Sequence, residues 1–319
     1  MKVLVTGATG FIGHAVAAAL NKAGHDVIAT TRDPAAKVEG ATVHAVAPLG
    51  PETKWADALV GVDVVIHLAA RVHIMDDTAA DPLADNLRAN TEGTAKLAAD
   101  AAAAGVRRFI FLSTIKVNGE TSVDGPFTAD DPPRPAPDDA YAIAKMKAEQ
   151  ALTRIARETG MESVIIRLPL VYGPGVKGNF LALLELCAKR PWLPLGAIRN
   201  RRSLIYVGNL AAAVICVLAH ENAPGRTFLV SDGDPVSTPE LVRLISRALG
   251  HKARLLPIPV FLLRLAARLV GRSPVAARLT GSLAVDDGPI RRDLGWTPPF
   301  SMVQGLQETA DWFRGRRLT

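Results

Sequence analysis

The sequence predicts a doubly wound parallel α/β sheet followed by a smaller C-terminal lobe. Three observations predict it. Short apolar, β-rich runs recur near residues 2–6, 26–31, 42–46, 63–68, 107–113 and 162–168, with helix-like segments between them. That alternation builds a parallel sheet with helices on both faces. Glycines 7, 10 and 13 stand where the first run gives way to the first helix. Beyond residue 168, prolines at 169, 174, 191, 194, 235, 239, 257 and 259 cut the chain into shorter pieces, which we assign to the lobe.

The elements follow in order. Lys2-Val3-Leu4-Val5-Thr6 is a buried-strand run, and from Phe11 the apolar period becomes helical through Val16, Ala19 and Leu20, ending near Gly24. Gly7 allows the tight turn between them. Gly10 allows a pyrophosphate close to the backbone, and Gly13 lets helix and strand pack closely. The helix N-terminus then faces the phosphates of a dinucleotide. The spacing is G-x-x-G-x-x-G rather than the better-known G-x-G-x-x-G.

The second strand, His25 to Thr30, reports on the cofactor. An acid at its tip would bond the adenosine ribose hydroxyls of NAD, whereas an arginine accommodates the 2′-phosphate of NADP. Thr31 holds the acid's position and Arg32 follows. The reading favours NADP(H). NAD(H) is the alternative, with Asp33 in the acid's place.

Phe109-Ile110-Phe111-Leu112 is a strand run that delivers Thr114 to the carboxyl edge of the sheet, where ligands bind in open α/β folds. Tyr141 and Lys145 are four apart among alanines that favour a helix, so they share a face. An ammonium beside a phenol favours the phenolate, which would tune Tyr141 for proton transfer near neutral pH. The unit expected is Thr114 holding a substrate oxygen, Tyr141 moving its proton, and Lys145 tuning Tyr141 and holding the nicotinamide ribose. The proline-rich loop Asp130 to Asp138 leads into Tyr141 and should border the site.

The Ala-rich stretch from Ala79 to Ala104 and the Tyr141 helix should flank the sheet. Ser203 to Ala219 carries no formal charge. It is too short to span a bilayer and reads as a strand entering a buried helix capped at Asn209. Arg226 to Val230 reads as a last strand returning to the sheet. The expected domains are therefore 1–168 plus 205–232 for the sheet and 169–204 plus 233–319 for the lobe. Pro257 to Gly271 is an apolar helix carrying Arg264 and Arg268, for which packing within the lobe is favoured over docking at a membrane interface.

Composition narrows the function. The chain has 319 residues and a formal charge of +6, with no long basic run and only 5% aromatics, which argues against nucleic acid. Cys187 and Cys216 sit apart in apolar runs and read as core residues. The seven histidines show no metal-ligand spacing, so no metal is expected, and His67 reads as strand packing. Met1 leads straight into the first strand with no signal segment, so the expectation is a cytoplasmic protein.

At these residues the chain resembles the extended short-chain dehydrogenase/reductase family, in its epimerase/dehydratase branch. The resemblance rests on Thr6 to Gly13, Asp63 to Ala70, Asn90-Thr91-Glu92-Gly93-Thr94, Ser113-Thr114, Tyr141 to Lys145 and Arg167 to Pro174. It implies a Rossmann fold and catalysis by Thr114, Tyr141 and Lys145. It also implies a cofactor site of Gly7, Thr9, Gly10, Phe11, Ile12, Gly13, Thr31, Arg32, Leu68, Ala69, Ala70 and Asn90 together with Tyr141 and Lys145, and a homodimer through two flanking helices. The C-terminal half resembles a group acting on UDP-linked sugars. Arg202 and Arg278 are expected to take the diphosphate, Asn179 the uridine diphosphate or sugar, and Lys116 and Asn118 to line the sugar pocket. The family often has V-Y-G after the catalytic Ser/Thr, where this chain has Val117-Asn118-Gly119.

The leading expectation is an NADPH-dependent reductase of the 4-keto group of a UDP-4-keto-6-deoxy-N-acetylhexosamine. The alternative is a UDP-sugar 4-epimerase, acting on UDP-glucose or UDP-N-acetylglucosamine with transiently reduced NAD. A non-catalytic NADP-binding regulator stands behind both, because an intact Thr114, Tyr141 and Lys145 argues for chemistry. No acidic residue follows Thr114, where dehydratases of this branch carry one.

Overall fold

Seven strands line up side by side, all parallel, in a computed structural model that describes residues 1–72, 81–271 and 273–316. The chain runs β1 (Lys2–Thr6), α1 (Phe11–Lys22), β2 (Asp26–Thr31), β3 (Ala41–Ala45), β4 (Val64–His67), α2 (Pro82–Asn86), α3 (Gly93–Ala103), β5 (Arg108–Thr114), α4 (Ala140–Thr159) and β6 (Glu162–Leu168). It continues through β7 (Leu170–Tyr172), α5 (Gly178–Ala188), β8 (Trp192–Leu193), β9 (Leu204–Tyr206), α6 (Val207–Ala219) and β10 (Arg226–Leu229). It closes with α7 (Thr238–Ala248), β11 (Arg254–Leu255), α8 (Val260–Leu269), α9 (Ser273–Thr280), α10 (Gly288–Leu294) and α11 (Met302–Arg316). The sheet order is β10-β6-β5-β4-β1-β2-β3. The six strand runs and the returning strand read from the sequence are all members.

The order reverses between β1 and β4. In such sheets the crevice beyond the carboxyl ends at that reversal is where ligands sit. The strands are near-continuous apolar runs because both faces are covered. α1 and α6 pack on one face around Val16, Leu20, Leu210 and Val214. α3 and α4 lie on the other, over Phe109, Phe111, Leu97 and Leu152. α4 starts where the Asp139 carboxylate accepts the Ala142 N–H at 3.0 Å, and stops where Gly160 turns left-handed at φ +77°.

The Ala-rich helical stretch is interrupted. α2 and α3 are joined by one wide π-type turn, Leu87–Glu92, containing Asn90. The first residues of that stretch, Ala79 and Ala80, lie outside the described residues.

The remaining strands are short: β7 pairs with β9, and β8 with β11. They are too brief for periodicity to reveal. β9 straddles the domain boundary expected between residues 204 and 205. Tyr172, Phe180, Leu184, Tyr206, Leu241, Ile245 and Phe313 form the lobe core. α7 begins with a reciprocal capping box between Ser237 and Glu240.

Asp232, just past β10, ties this core to the sheet. It accepts from the Tyr172 hydroxyl at 2.7 Å, the Tyr206 N–H at 2.9 Å and Asn209 Nδ2 at 2.7 Å. Asn209 is thus not the cap of α6, which starts at Val207 with Tyr206 before it. Its amide instead pins Asp232 and the backbone of Phe300.

The free cysteines sit in α5 and α6, and burial raises the Cys187 thiol to about 11. Among the described residues no helix is long and apolar enough to cross a membrane, and no cluster of His, Cys, Asp or Glu could hold a metal. α8 packs on the lobe as expected, but only along one narrow side: Val260 and Leu263 lie against the lobe core, and none of its residues is fully buried.

Candidate active site

The glycine turn has the shape a dinucleotide needs. Gly7 has φ +68°, and a Cβ there would lie 2.8 Å from the Ala69 nitrogen. A Cβ on Gly13 would lie 2.1 Å from the Gly7 carbonyl oxygen. Both glycines are therefore forced by backbone packed against backbone. Gly10 differs: a Cβ there would meet only the Gly7 oxygen, at 3.1 Å, and otherwise open space. It is the N-cap of α1 and has no side chain to occupy the first amides. Open space over Gly10, in front of a helix N-terminus, fits a pyrophosphate. Thr9, Phe11 and Ile12 lie on this turn and the first turn of α1.

At the tip of β2, Thr31 is buried and its Oγ1 accepts the Asp33 N–H at 3.2 Å. Asp33 in turn uses one carboxylate oxygen to accept the Ala35 N–H at 2.9 Å. Arg32 is exposed beside them.

A directed chain of hydrogen bonds runs beneath the next stretch of the cofactor crevice. Thr94 Oγ1 donates to the Asn90 carbonyl at 2.6 Å, so it accepts from His67 Nε2 at 2.9 Å. His67 Nδ1 is then the acceptor for Thr6 Oγ1, at 2.7 Å. That leaves Thr6 Oγ1 to accept the N–H groups of Leu68 and Ala69, both at 3.1 Å. Burial, and next the Lys145 charge, lower His67 to about 3, so the ring is neutral as the chain requires. His67 is more than strand packing: it helps to fix the loop Leu68-Ala69-Ala70. The signal was in the sequence as Thr6 and His67, each closing an apolar run, and the two strands pair them in register.

Asn90 works on the same loop. It is buried, accepts the Arg71 N–H at 2.7 Å and donates to the Arg71 carbonyl at 2.9 Å. It thereby holds the backbone that follows Ala70, in the loop expected to line the cofactor site.

Thr114 closes β5, and its Oγ1 accepts the Lys116 N–H at 3.3 Å. Lys116 reaches across to Asp139 Oδ2 at 2.5 Å. Asp139 caps α4 two residues before Tyr141. This ion pair joins the Thr114 strand end to the start of the Tyr141 helix, and it occupies the lysine expected to line a sugar pocket.

Lys145 is buried. Its Nζ donates to the Leu112 carbonyl at 2.9 Å and stands 4.3 Å from the Phe111 ring centre and 5.9 Å from that of Tyr141. Burial lowers Lys145 to about 7, with Glu149 acting the other way. Burial also raises the Tyr141 phenol well above its ordinary value, and Asp139 adds to the rise. The expected lowering of Tyr141 by an ammonium is therefore outweighed by desolvation. As folded, the chain presents a protonated phenol beside an amine near its midpoint at neutral pH.

Asn118 is corrected outright. Its amide is buried, accepting from Arg167 Nη1 at 3.1 Å and donating to the Thr128 carbonyl at 3.1 Å. Arg167 forms a buried ion pair with Glu149 at 2.7 Å. The side chain that replaces the family's tyrosine is thus structural.

Arg202 and Arg278 are brought together: Arg202 Nη1 donates to the Arg278 carbonyl at 2.6 Å and the Gly281 carbonyl at 3.3 Å. Arg278 is exposed on α9, and Asn179 is exposed on the first turn of α5. A cavity of about 620 Å³ nearby is lined by Asp232, Asp234, Asp286 and Asp287 with Arg201 and Arg291. Its carboxylates make it ill-suited to a diphosphate.

Comparison with known proteins bears on the same residues. Residues 3–231 match the model of the NAD dependent epimerase/dehydratase family. A UDP-glucose 4-epimerase of Vibrio cholerae is 40% identical over 98% of this chain and 95% of its own. A 3-diazoavenalumate denitrifying reductase of a Streptomyces species is 31% identical over 93% and 96%. Among solved structures, the UDP-glucose 4-epimerase of Thermotoga maritima, determined with UDP-glucose, superposes with a TM-score of 0.79 at 25% identity over 99% of this chain and all of that one. With the family match spanning the glycine turn, Thr114, Tyr141 and Lys145, this chain belongs to the NAD-dependent epimerase/dehydratase family of extended short-chain dehydrogenases/reductases.

Proposed function

We propose that the protein is a UDP-hexose 4-epimerase. The observation that carries this reading is the similarity to the Vibrio enzyme along essentially the whole chain. It moves the weight from the reductase expected first to the alternative. NAD(P), when bound, would supply the hydride acceptor and donor. Thr114 orients the C4 oxygen through its hydroxyl. Tyr141 takes the proton from that oxygen when C4 is oxidised and returns it when C4 is reduced. Lys145 sets the charge beside the phenol, and a protonated Lys145 favours the phenolate that the oxidative half needs. Arg202, Arg278 and Asn179 are proposed for the UDP moiety.

A second reading, the 4-keto reductase, keeps one specific support. Thr31 supplies no carboxylate for the adenosine ribose, and Asp33 spends one oxygen within its own turn. That suits a cofactor that exchanges between turnovers, and exposed Arg32 suits NADP. We also propose a cytoplasmic homodimer through α3 and α4, and the division of labour between a sheet domain and a substrate lobe.

One experiment separates the readings. UDP-glucose and UDP-N-acetylglucosamine are supplied without added cofactor, and a UDP-4-keto-6-deoxy-N-acetylhexosamine is supplied with NADPH. Interconversion of the plain sugars with their C4 epimers supports the epimerase. NADPH consumed one for one with the keto sugar, and no epimerisation, replaces it with the reductase.

A further inference from the structure

Helix α8 turns its more apolar side outward. At about 100° per residue, Val260, Leu263 and Ala267 fall on one narrow face. These three are the half-buried positions, and Val260 and Leu263 pack against the lobe core. Phe261, Leu262, Leu265, Ala266 and Leu269 form a continuous arc on the far side. Phe261 is 68% exposed, Leu265 52% and Leu269 81%. Arg264 and Arg268 lie along one margin of this arc, and both are exposed. Arg264 donates to Thr280 Oγ1 at 3.2 Å, which ties α8 to α9. Val270 and Val275 extend the exposed apolar surface past the helix end.

The chain segment that carries this arc has charge of one sign. Residues 241–285 contain eight lysines and arginines and no aspartate or glutamate, so this segment carries more positive charge than the +6 of the whole chain.

We propose that α8 is a docking surface for an anionic lipid bilayer, with the Phe261–Leu265–Leu269 arc entering the interface and the flanking arginines meeting acidic headgroups. An apolar arc bordered by arginines is the pattern by which a helix lies in a membrane interface. Two arguments select this occupant over a second copy of the chain. A two-fold interface pairs a patch with itself, so it would set the Arg264 and Arg268 margin against the same margin with no acid to offset it. An anionic membrane supplies the missing charge and takes up the apolar arc together. Nucleic acid would meet the charge but leave Leu265 and Leu269 without a partner.

The test is co-sedimentation of the intact protein with vesicles of equal parts phosphatidylglycerol and phosphatidylcholine, against vesicles of phosphatidylcholine alone. The expected result is at least about tenfold stronger binding to the anionic vesicles, lost at about 0.5 M salt where surface charge is screened within a few ångströms. Phe261→Ser/Leu265→Ser/Leu269→Ser and Arg264→Glu/Arg268→Glu should each abolish binding while turnover of the UDP-sugar stays at the wild-type value, the arginine variant losing only the exposed bond from Arg264 to Thr280. Absence of binding to either vesicle, or equal binding to both, overturns the proposal. So does wild-type binding by both variants, or tighter capture on a single-stranded oligonucleotide than on the anionic vesicle. A dimer that dissociates only in the triple-serine variant would assign the arc to a second copy instead.

Discussion

Tyr141 is half-buried, its ring held by the first turn of α4. Tyr141→Phe removes the hydroxyl and keeps the ring. Turnover should fall by roughly 10²–10⁴-fold, the range for a lost general acid or base, while cofactor affinity persists in a fluorescence titration. Turnover at the wild-type level would remove Tyr141 from the mechanism. Lys145 makes a different prediction. Burial lowers it to about 7 from its ordinary value of 10.5, so between those values the unfolded chain binds more protons than the folded one. The Lys145 contribution to stability therefore rises with pH across that window. Lys145→Met should flatten the rise, as followed by denaturant midpoints at several pH values. Arg32→Ala should weaken NADPH more than NADH if the guanidinium holds the 2′-phosphate, because that charge-assisted bond exists only with the former. Equal weakening makes Arg32 a bystander.

The placement of several of these residues was legible in the sequence because the chemistry proposed for them depends on spacing. Tyr141 and Lys145 must lie four apart on a helix, and Thr114 must end an apolar strand. The partners of Asn118 and Lys116 were not legible, for a related reason. Their nearness to Thr114 in sequence suggested a shared pocket. Yet Asn118 turns inward to Arg167, and Lys116 crosses to Asp139, 23 residues on. Partners that distant leave no periodic trace.

At the scale of elements, the glycine turn separates two functions that one motif contains. Gly13→Ala forces a Cβ to 2.1 Å from the Gly7 oxygen and 2.7 Å from Ala8 Cα, both backbone. The helix must move off the strand, and a loss of about 1–3 kcal/mol or more is expected for such overpacking, read as a lower melting temperature. Gly10→Ala meets a single oxygen at 3.1 Å. It should fold normally and bind the dinucleotide poorly. If the two variants lost stability equally, the assignment of Gly10 to the ligand would fail. Most of the seven parallel strands were readable because they are β-rich runs of four to seven residues with an apolar centre, β3 and β10 being the more mixed ones. β8 and β11 have two residues each, and β7 and β9 three, so no pattern could mark them. The start of α6 was misread because Asn209 has a capping side chain, here used for tertiary contacts with Asp232 and Phe300.

For the whole molecule, Asp232 is the point where sheet and lobe meet. Asp232→Ala strips the acceptor from Tyr172, Asn209 and the Tyr206 N–H. A buried donor left unsatisfied costs about 1–3 kcal/mol, so the melting temperature should drop clearly. Binding of UDP should weaken more than binding of NAD(P), since Gly7 and Gly13 are set by backbone contacts with Ala69 and Ala8 and not by Asp232. If UDP and NAD(P) affinity fell equally, the proposed split between the lobes would be wrong.

The path of the chain also sets the order in which these parts can be made. Phe180, Leu184 and Tyr206 belong to the lobe core, yet α11, which packs over that core, begins only at Met302. At about 5–20 residues per second, synthesis separates Tyr206 from Met302 by roughly 5–20 s. Throughout that interval the sheet up to β6 has all its strands outside the ribosome. The tyrosine and phenylalanine faces of the lobe still await their cover. Nascent chains halted in this span beyond β10 would expose apolar surface beside a completed sheet, and we expect that form to be the one most open to aggregation and to capture by chaperones.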